Sequence, residues 1–160
     1  MPGLIALLPN YSSRPYRAAD RDVCLGLFDS NVPEYFAQVE RTGFETFLDE
    51  LPGPYLVIEA PSGRLVACGG YAHADDPRRV DLCWGMVHRE MHGWGIGHFL
   101  TETRVEAAFA EPSVEMIALN TSQLTVAFYR RLGFRLESVE PDGYAAGLDR
   151  CELRLARGDR

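Results

Sequence analysis

Gly93, Gly95 and Gly97 stand between an apolar alternating run, Val80–Met86, and a run with helical spacing that includes Ile96, Leu100, Thr103, Ala107 and Phe109. The pattern predicts a strand, a glycine loop and a helix start. Glycine lacks the β-carbon that would keep a phosphate away. The first turn of a helix adds unpaired N–H groups with the positive end of the dipole behind them. The chemistry implied is binding of a phosphate or pyrophosphate. A dinucleotide fold requires G-x-G-x-x-G, and that frame fails, because His98 stands three residues beyond Gly95 and Leu100 three beyond Gly97. The Gly-Lys-Ser/Thr of a P-loop is absent as well. His88 and His92 share the i, i+4 spacing of a helical metal site but fall in a predicted loop, so no metal is expected.

What remains is His92-x-x-Gly95-x-Gly97. This resembles the acetyl-CoA loop of the GCN5-related N-acetyltransferases, Gln/Arg-x-x-Gly-x-Gly/Ala at the start of the central helix. A second stretch, Ala127–Phe134, is similar to the family's F-Y-x-[K/R]-x-G-F, matched by Phe128, Tyr129, Arg131, Gly133 and Phe134. It follows the loop after a helix and a strand, where the family places it, and the resemblance in element order spans about residues 14–155. The resemblance implies an acyl-CoA N-acyltransferase fold whose fourth and fifth strands part to admit the pantetheine arm. It also implies acetyl-CoA as co-substrate, and transfer of its acetyl group by direct attack to a primary amine of a small molecule or peptide.

Amine attack on a thioester needs a neutral amine, a hydrogen bond where charge develops on the carbonyl oxygen, and a proton donor for the departing thiolate. A phenol, titrating near about 10, is a workable donor. The resemblance gives that role to Tyr129, which also suits an amphipathic core position. It implies that the main chain of Met86, Val87 and His88 pairs with the pantetheine. His92, Gly93, Trp94, Gly95, Ile96 and Gly97, with His98, would hold the pyrophosphate, and Phe128 and Arg131 belong to the same cofactor side. His92 departs from the usual Gln or Arg, so CoA affinity is expected to depend on pH. Many relatives have Asn seven residues before the tyrosine; here Ser122 stands there with Asn120 two residues earlier, and both suit either a cofactor contact or a helix cap. Some relatives carry a carboxylate base eleven residues before the first loop position, which maps to Asp81. Alternation along Asp81, Cys83 and Gly85 sets it on one face, and a water-facing strand-start Asp is the other reading. The acceptor groove maps to Asn31, Tyr35 and Phe36 and to Asp142-Gly143-Tyr144. A non-catalytic acyl-CoA sensor on the same fold is the competing reading, and the intact Tyr129 favours the enzyme.

These residues need a scaffold, and the chain supplies one. With 160 residues, 46% of them hydrophobic, a single domain spanning 1–160 with a full core is expected. Leu4–Leu8 suits an edge strand or a docked tail. A short strand is predicted over Arg14–Ala18. A helix capped by Asp20 follows, burying Val23, Leu25, Leu27 and Phe28, and then a second helix from about residue 33 to Leu51 with Phe36, Val39, Phe44, Phe47, Leu48 and Leu51 inward. Tyr55–Glu59, Arg64–Tyr71 and Val80–Val87 form a predicted antiparallel meander. A helix over about 95–110, a strand over Val114–Leu119, a helix over Ser122–Leu132 and a strand over Phe134–Val139 come next. The turn Pro141-Asp142-Gly143 leads to a last strand, Cys151–Leu155. The class is α+β: a mixed, mostly antiparallel sheet of about six to seven strands with four helices. Trp84 is expected to pack on the sheet and Trp94 to sit exposed in the loop.

The net charge of −7 disfavours non-specific nucleic-acid binding, which relies on Lys and Arg contacts to phosphate, and suits a cationic substrate. Cys24, Cys68, Cys83 and Cys151 are far apart, with neither a disulfide framework nor a zinc pattern, and read as thiols in a reducing cytoplasm. No apolar run approaches the roughly 20 residues that span a bilayer, so no membrane partner is expected. The pattern leaves a homodimer open.

Overall fold

A computed structural model describes residues 10–160. Leu4–Leu8 lie outside the described residues. One sheet carries strands β1 (Ser12–Pro15), β2 (Tyr55–Glu59), β3 (Leu65–His73), β4 (Arg79–Val87), β5 (Met116–Thr121), β6 (Arg135–Ala145) and β7 (Leu148–Ala156) in the order β1-β2-β3-β4-β5-β7-β6. Helices α1 (Arg21–Ser30), α2 (Arg41–Glu50), α3 (Ile96–Phe109) and α4 (Val126–Arg131) complete the frame. All neighbours pair antiparallel except β4 and β5, which are parallel. The expected mixed sheet of seven strands with four helices is therefore present.

Several boundaries differ from the sequence expectation for local reasons. Strand β1 starts at Ser12 and ends at Pro15, because Asp20 folds the chain back: its carboxylate accepts the Arg17 N–H at 2.8 Å and pairs with Arg14. Asp20 thus caps the short turn Ala18–Asp20, and it does not cap α1. The helix expected from residue 33 begins only at Arg41. Asn31 O accepts from the Tyr35 and Phe36 amides, and the Glu40 carboxylate takes the Ala37 N–H, so the chain turns twice before α2. Val39 and Leu51, expected inward, are 76% and 40% exposed, and Val23 is also exposed. The turn expected at Pro141-Asp142-Gly143 is a break in register within β6, and the reversal comes at Gly147, where φ is +79°. Asp142 accepts the Gly147 N–H at 2.8 Å and fixes that turn.

Helices α1 and α2 cover one face of the sheet. Phe28 and Phe44, both 0% exposed, pack with Val57, Cys68 and Met86 and against Trp84, whose ring stacks on Phe44 at 5.1 Å. Helices α3 and α4 cover the other face. Val105 and Ala108 meet Val80, Leu82, Ile117 and Leu153 there. Burying one large apolar side chain contributes about 1.5–3 kcal/mol, so each face anchors its helices through a few such residues.

Two features of β4 open the sheet. Its pairing with β5 stops at Asp81–Ala118, although β4 runs on to Val87 and β5 to Thr121. On its other side β4 carries a bulge: Gly70 pairs with Cys83 and Cys68 with Met86, so Gly69 opposes both Trp84 and Gly85. Trp84 takes φ +46° there. An extra residue in one strand bends it and reverses the alternation. Trp84 then faces α1 and α2, whereas a β-carbon on Gly85 would meet Arg104 of α3. The expected shared face of Asp81, Cys83 and Gly85 therefore ends at Cys83.

Candidate active site

The gap between the parted ends of β4 and β5 opens into a cavity of about 740 Å³. At one mouth lies the glycine loop. Gly93 and Gly95 take φ +84° and +85°, a region open to glycine at no steric cost, and Gly95 starts α3 without any side-chain cap. The first amides of α3 therefore point outward beside the cavity, which Gly93, Gly95, Gly97 and His98 line. A β-carbon on Gly97 would lie 3.4 Å from the Phe128 ring, so α3 and α4 meet there in ordinary contact. Ile96 is 1% exposed, and its side chain belongs to the core beneath the loop. Trp94 is 62% exposed and, like the His88 side chain, lies off the cavity wall. His88 accepts the Glu90 N–H and shapes the turn before the loop.

The open edge of β4 is defined by one hydrogen bond. His88 N–H donates to Val66 O at 2.8 Å, which makes Ala67–Val87 the non-hydrogen-bonded pair and directs the Val87 N–H and C=O away from β3 into the gap. The carbonyl is already engaged: Asn31 Nδ2 donates to it at 3.0 Å and His92 Nε2 at 2.9 Å. The N–H remains the group that can pair with an inserted chain. Asn31, 2% exposed, also donates to Leu27 O, so it straps α1 to β4. Burial holds the His92 imidazole below the ordinary histidine range, against the Val87 bond, which acts the other way. His92 is then neutral at neutral pH, and the loop offers N–H dipoles in place of a side-chain charge.

Deeper in the cavity, Tyr129 projects from α4. Its ring packs edge-on against Phe128 at 4.9 Å and Phe134 at 5.7 Å, which fixes its direction, and its hydroxyl has no hydrogen-bond partner among the described residues. Ser122 is 5% exposed, forms no side-chain cap, and lines the cavity with Asn120. Arg131 stands at the rim, exposed.

The opposite mouth is walled by Tyr35, Phe36, Glu40, Asp81, Tyr144 and Arg150. Asp81 is held by Arg79 Nε at 2.7 Å, and Arg79 reaches Glu152 as well, so a proton taken by Asp81 would break an ion pair. Glu40 differs. One of its oxygens accepts the Ala37 N–H, and burial pushes its carboxyl above the ordinary range. Burial likewise pushes the Tyr144 phenol up to about 12, and the negative charge of Glu40 adds to it. Tyr35 sits edge-on to His92 at 4.9 Å, with Arg89 over its ring. Phe36 stacks on Phe28 at 4.9 Å.

The structure thus gathers the cofactor-side residues, Tyr129, Asp81 and the acceptor-side residues around one cavity, with the side chains of His88, Trp94 and Ile96 outside it. The sequence analysis did not single out Glu40, although the expected helix put it in the apolar row Phe36–Glu40–Phe44, or Arg104, a charged residue on the buried face of α3. Its only signal was the helical spacing Leu100–Arg104–Ala108, which puts Arg104 in an apolar row. Among the described residues no group of three or more His, Cys, Asp or Glu side chains is placed to hold a metal ion.

Residues 24–134 match the acetyltransferase (GNAT) family, and the chain belongs to it. The fold is shared with a GCN5-related N-acetyltransferase from Kribbella flavida, at a TM-score of 0.74 and 16% identity over 92% of this chain and 98% of that one. The ribosomal-protein-alanine N-acetyltransferase from Brucella melitensis gives 0.72 and 19% over 91% and 99%. The protein yncA from Salmonella typhimurium, solved with its cofactor acetyl-CoA, gives 0.71 and 18% over 92% and 94%. No curated protein matches the chain in sequence.

Proposed function

We propose that the protein transfers the acetyl group of acetyl-CoA to a primary amine of a small molecule or peptide by direct attack, with Tyr129 as general acid. One observation carries this reading: a single cavity joins an uncapped glycine-loop helix start, an open edge N–H on β4 and an unpartnered phenol on α4. The pyrophosphate sits on the amides of residues 92–97, and the pantetheine arm passes between β4 and β5. The amine enters from the mouth walled by Glu40 and Tyr144. Its lone pair forms the C–N bond while the carbonyl pair moves onto oxygen. Collapse of that adduct breaks the C–S bond, sulfur leaves with the pair and takes the Tyr129 proton, and the ammonium nitrogen gives up a proton.

Glu40 is the better-placed acceptor of that proton. Its raised affinity brings it nearer the operating pH, whereas Asp81 is tied to Arg79. An acidic and aromatic mouth favours a cationic or peptide-borne amine. The acceptor named for the Brucella protein, a ribosomal-protein alanine, and the acetyl-CoA bound by yncA support this class of reaction. The test is release of free CoA thiol from acetyl-CoA, dependent on an added amine. Binding of CoA without that release would favour a non-catalytic acyl-CoA sensor.

A further inference from the structure

Arg104 is the largest fully buried side chain of the described residues, at 1% exposure, and it has no carboxylate partner. Residues 1–9 contain no Asp or Glu that could supply one. Its guanidinium makes two long hydrogen bonds to main-chain oxygens, Nε to Leu100 at 3.4 Å and Nη1 to Gly70 at 3.3 Å. Nη2 has no partner among the described residues. No side-chain nitrogen there is both sealed and unbonded, so Nη2 reaches the cavity that Arg104 helps to line.

An uncompensated buried charge is costly, and a guanidinium keeps its charge inside proteins. This fold nevertheless makes room for one. A β-carbon on Gly85 would stand 2.6 Å from Nη2 and 2.8 Å from Nη1, and one on Gly69 would stand 3.2 Å from Nη1. Both glycines lie at the β4 bulge, so the bulge and the guanidinium form one construction. The charge is felt in the cleft: burial pushes the Cys83 thiol up to about 11, and Arg104 pulls it the other way.

The direction of the cleft says what meets this charge. An arm that enters at residues 92–97 and passes His88, Val87 and Met86 brings its reactive end to Gly85, against the guanidinium. There the proposed reaction puts negative charge first on the thioester oxygen and then on the departing sulfur. We infer that Arg104 supplies the counter-charge for this anion, so that Tyr129 delivers a proton to a thiolate already stabilised by the buried guanidinium. The inference rests on the acetyl-CoA reading above.

Titrating the thiol of CoA bound to the whole protein, by its ultraviolet thiolate absorbance and with unbound CoA as reference, tests both separately. An opposite charge within about 4–6 Å lowers the pKa of an acid by about one to three pH units. Bound CoA should titrate that much lower than unbound CoA. Arg104→Gln should move the titration back toward unbound CoA while CoA still binds, and Arg104→Lys should keep most of the lowering. Tyr129→Phe should leave the Arg104-dependent part in place. A protein that binds CoA with an unshifted thiol overturns the inference and leaves the function standing, whereas failure to bind CoA overturns the function itself. Should Arg104→Gln not fold, Tyr129→Phe decides: bound CoA that titrates like unbound CoA in that variant contradicts a counter-charge at Arg104.

Discussion

In the proposed reaction Tyr129 and Glu40 divide the proton chemistry between two ends of one cavity, and each makes a distinct prediction. Tyr129→Phe keeps the ring contacts with Phe128 and Phe134 and removes only the hydroxyl. Stability and CoA affinity should hold, while single-turnover acetyl transfer falls by about 10²- to 10⁴-fold, the usual worth of general acid catalysis. A wild-type single-turnover rate across pH would make the tyrosine structural. Glu40 must be ionised to receive a proton, and burial raises its pKa, so kcat/KM should rise with pH along a limb lying above the ordinary carboxylate value of about 4.3. Glu40→Gln should remove that limb and lower kcat/KM by about 10²-fold; an unchanged limb assigns it to another group. Tyr129 was legible in the sequence because Phe128, Tyr129, Arg131, Gly133 and Phe134 together resemble a compact family motif. Glu40 and Arg104 were not, because burial in the folded chain is what sets each apart. In the sequence a glutamate in a helical stretch reads as solvated, and so does an arginine.

The glycine loop and the bulge of β4 set the geometry that those residues exploit. Gly95 is needed for its positive φ, whereas a β-carbon on Gly97 would rest in ordinary contact with Phe128 and Val87, and a longer side chain there would fill the cavity mouth. Gly97→Val should therefore fold and lose CoA affinity by tenfold or more, about 1.4 kcal/mol, measured by calorimetry. Gly95→Val should also lose stability, because a β-branched residue is a genuine outlier at that backbone angle. A folded Gly97→Val protein with unchanged CoA affinity would remove the loop from the binding site. Elements whose pattern is local were readable from the sequence: the β2–β3 hairpin, the strand β4 and the helix α3 lie close to their expected bounds. Elements decided by tertiary contacts were not. The helix expected from residue 33 starts late because the Asn31 side chain bonds the Val87 carbonyl across the chain, while its own carbonyl takes the Tyr35 and Phe36 amides and Glu40 takes the Ala37 N–H. Strand β6 runs through its expected turn because β7 pairs with it on both sides of the irregular stretch. The bulge at Trp84–Gly85 left no mark but a Trp-Gly pair.

At the scale of the molecule, the sheet is held at its first edge by Arg14, which binds both Asp20, at 2.8 Å, and Glu59, at 2.7 Å. The Arg14 hydrogen bonds are the main cause holding the Asp20 carboxyl below the usual range. A carboxylate with a depressed folded pKa stabilises the fold above its unfolded pKa of about 3.9, and that contribution is lost as pH falls through the folded value. Asp20→Asn should lower stability at neutral pH by about 1.5–3 kcal/mol, the range for hydrogen bonds to charged groups, and should flatten the acid side of the stability curve in urea titrations. An acid limb as steep as the wild type's would place the pH dependence elsewhere. No helix among the described residues is long and apolar enough to cross a membrane. In the proposed function the parted strands, the loop and the phenol form one acetyl-transfer site. The most direct measurement supplies acetyl-CoA and a panel of small-molecule and peptide amines to the protein, following free CoA thiol together with the mass of each amine. The account predicts thiol release that depends on the amine, matched by acetylation of that amine and suppressed in Tyr129→Phe. Tight binding of acetyl-CoA with no amine-dependent thiol release across the panel would contradict it.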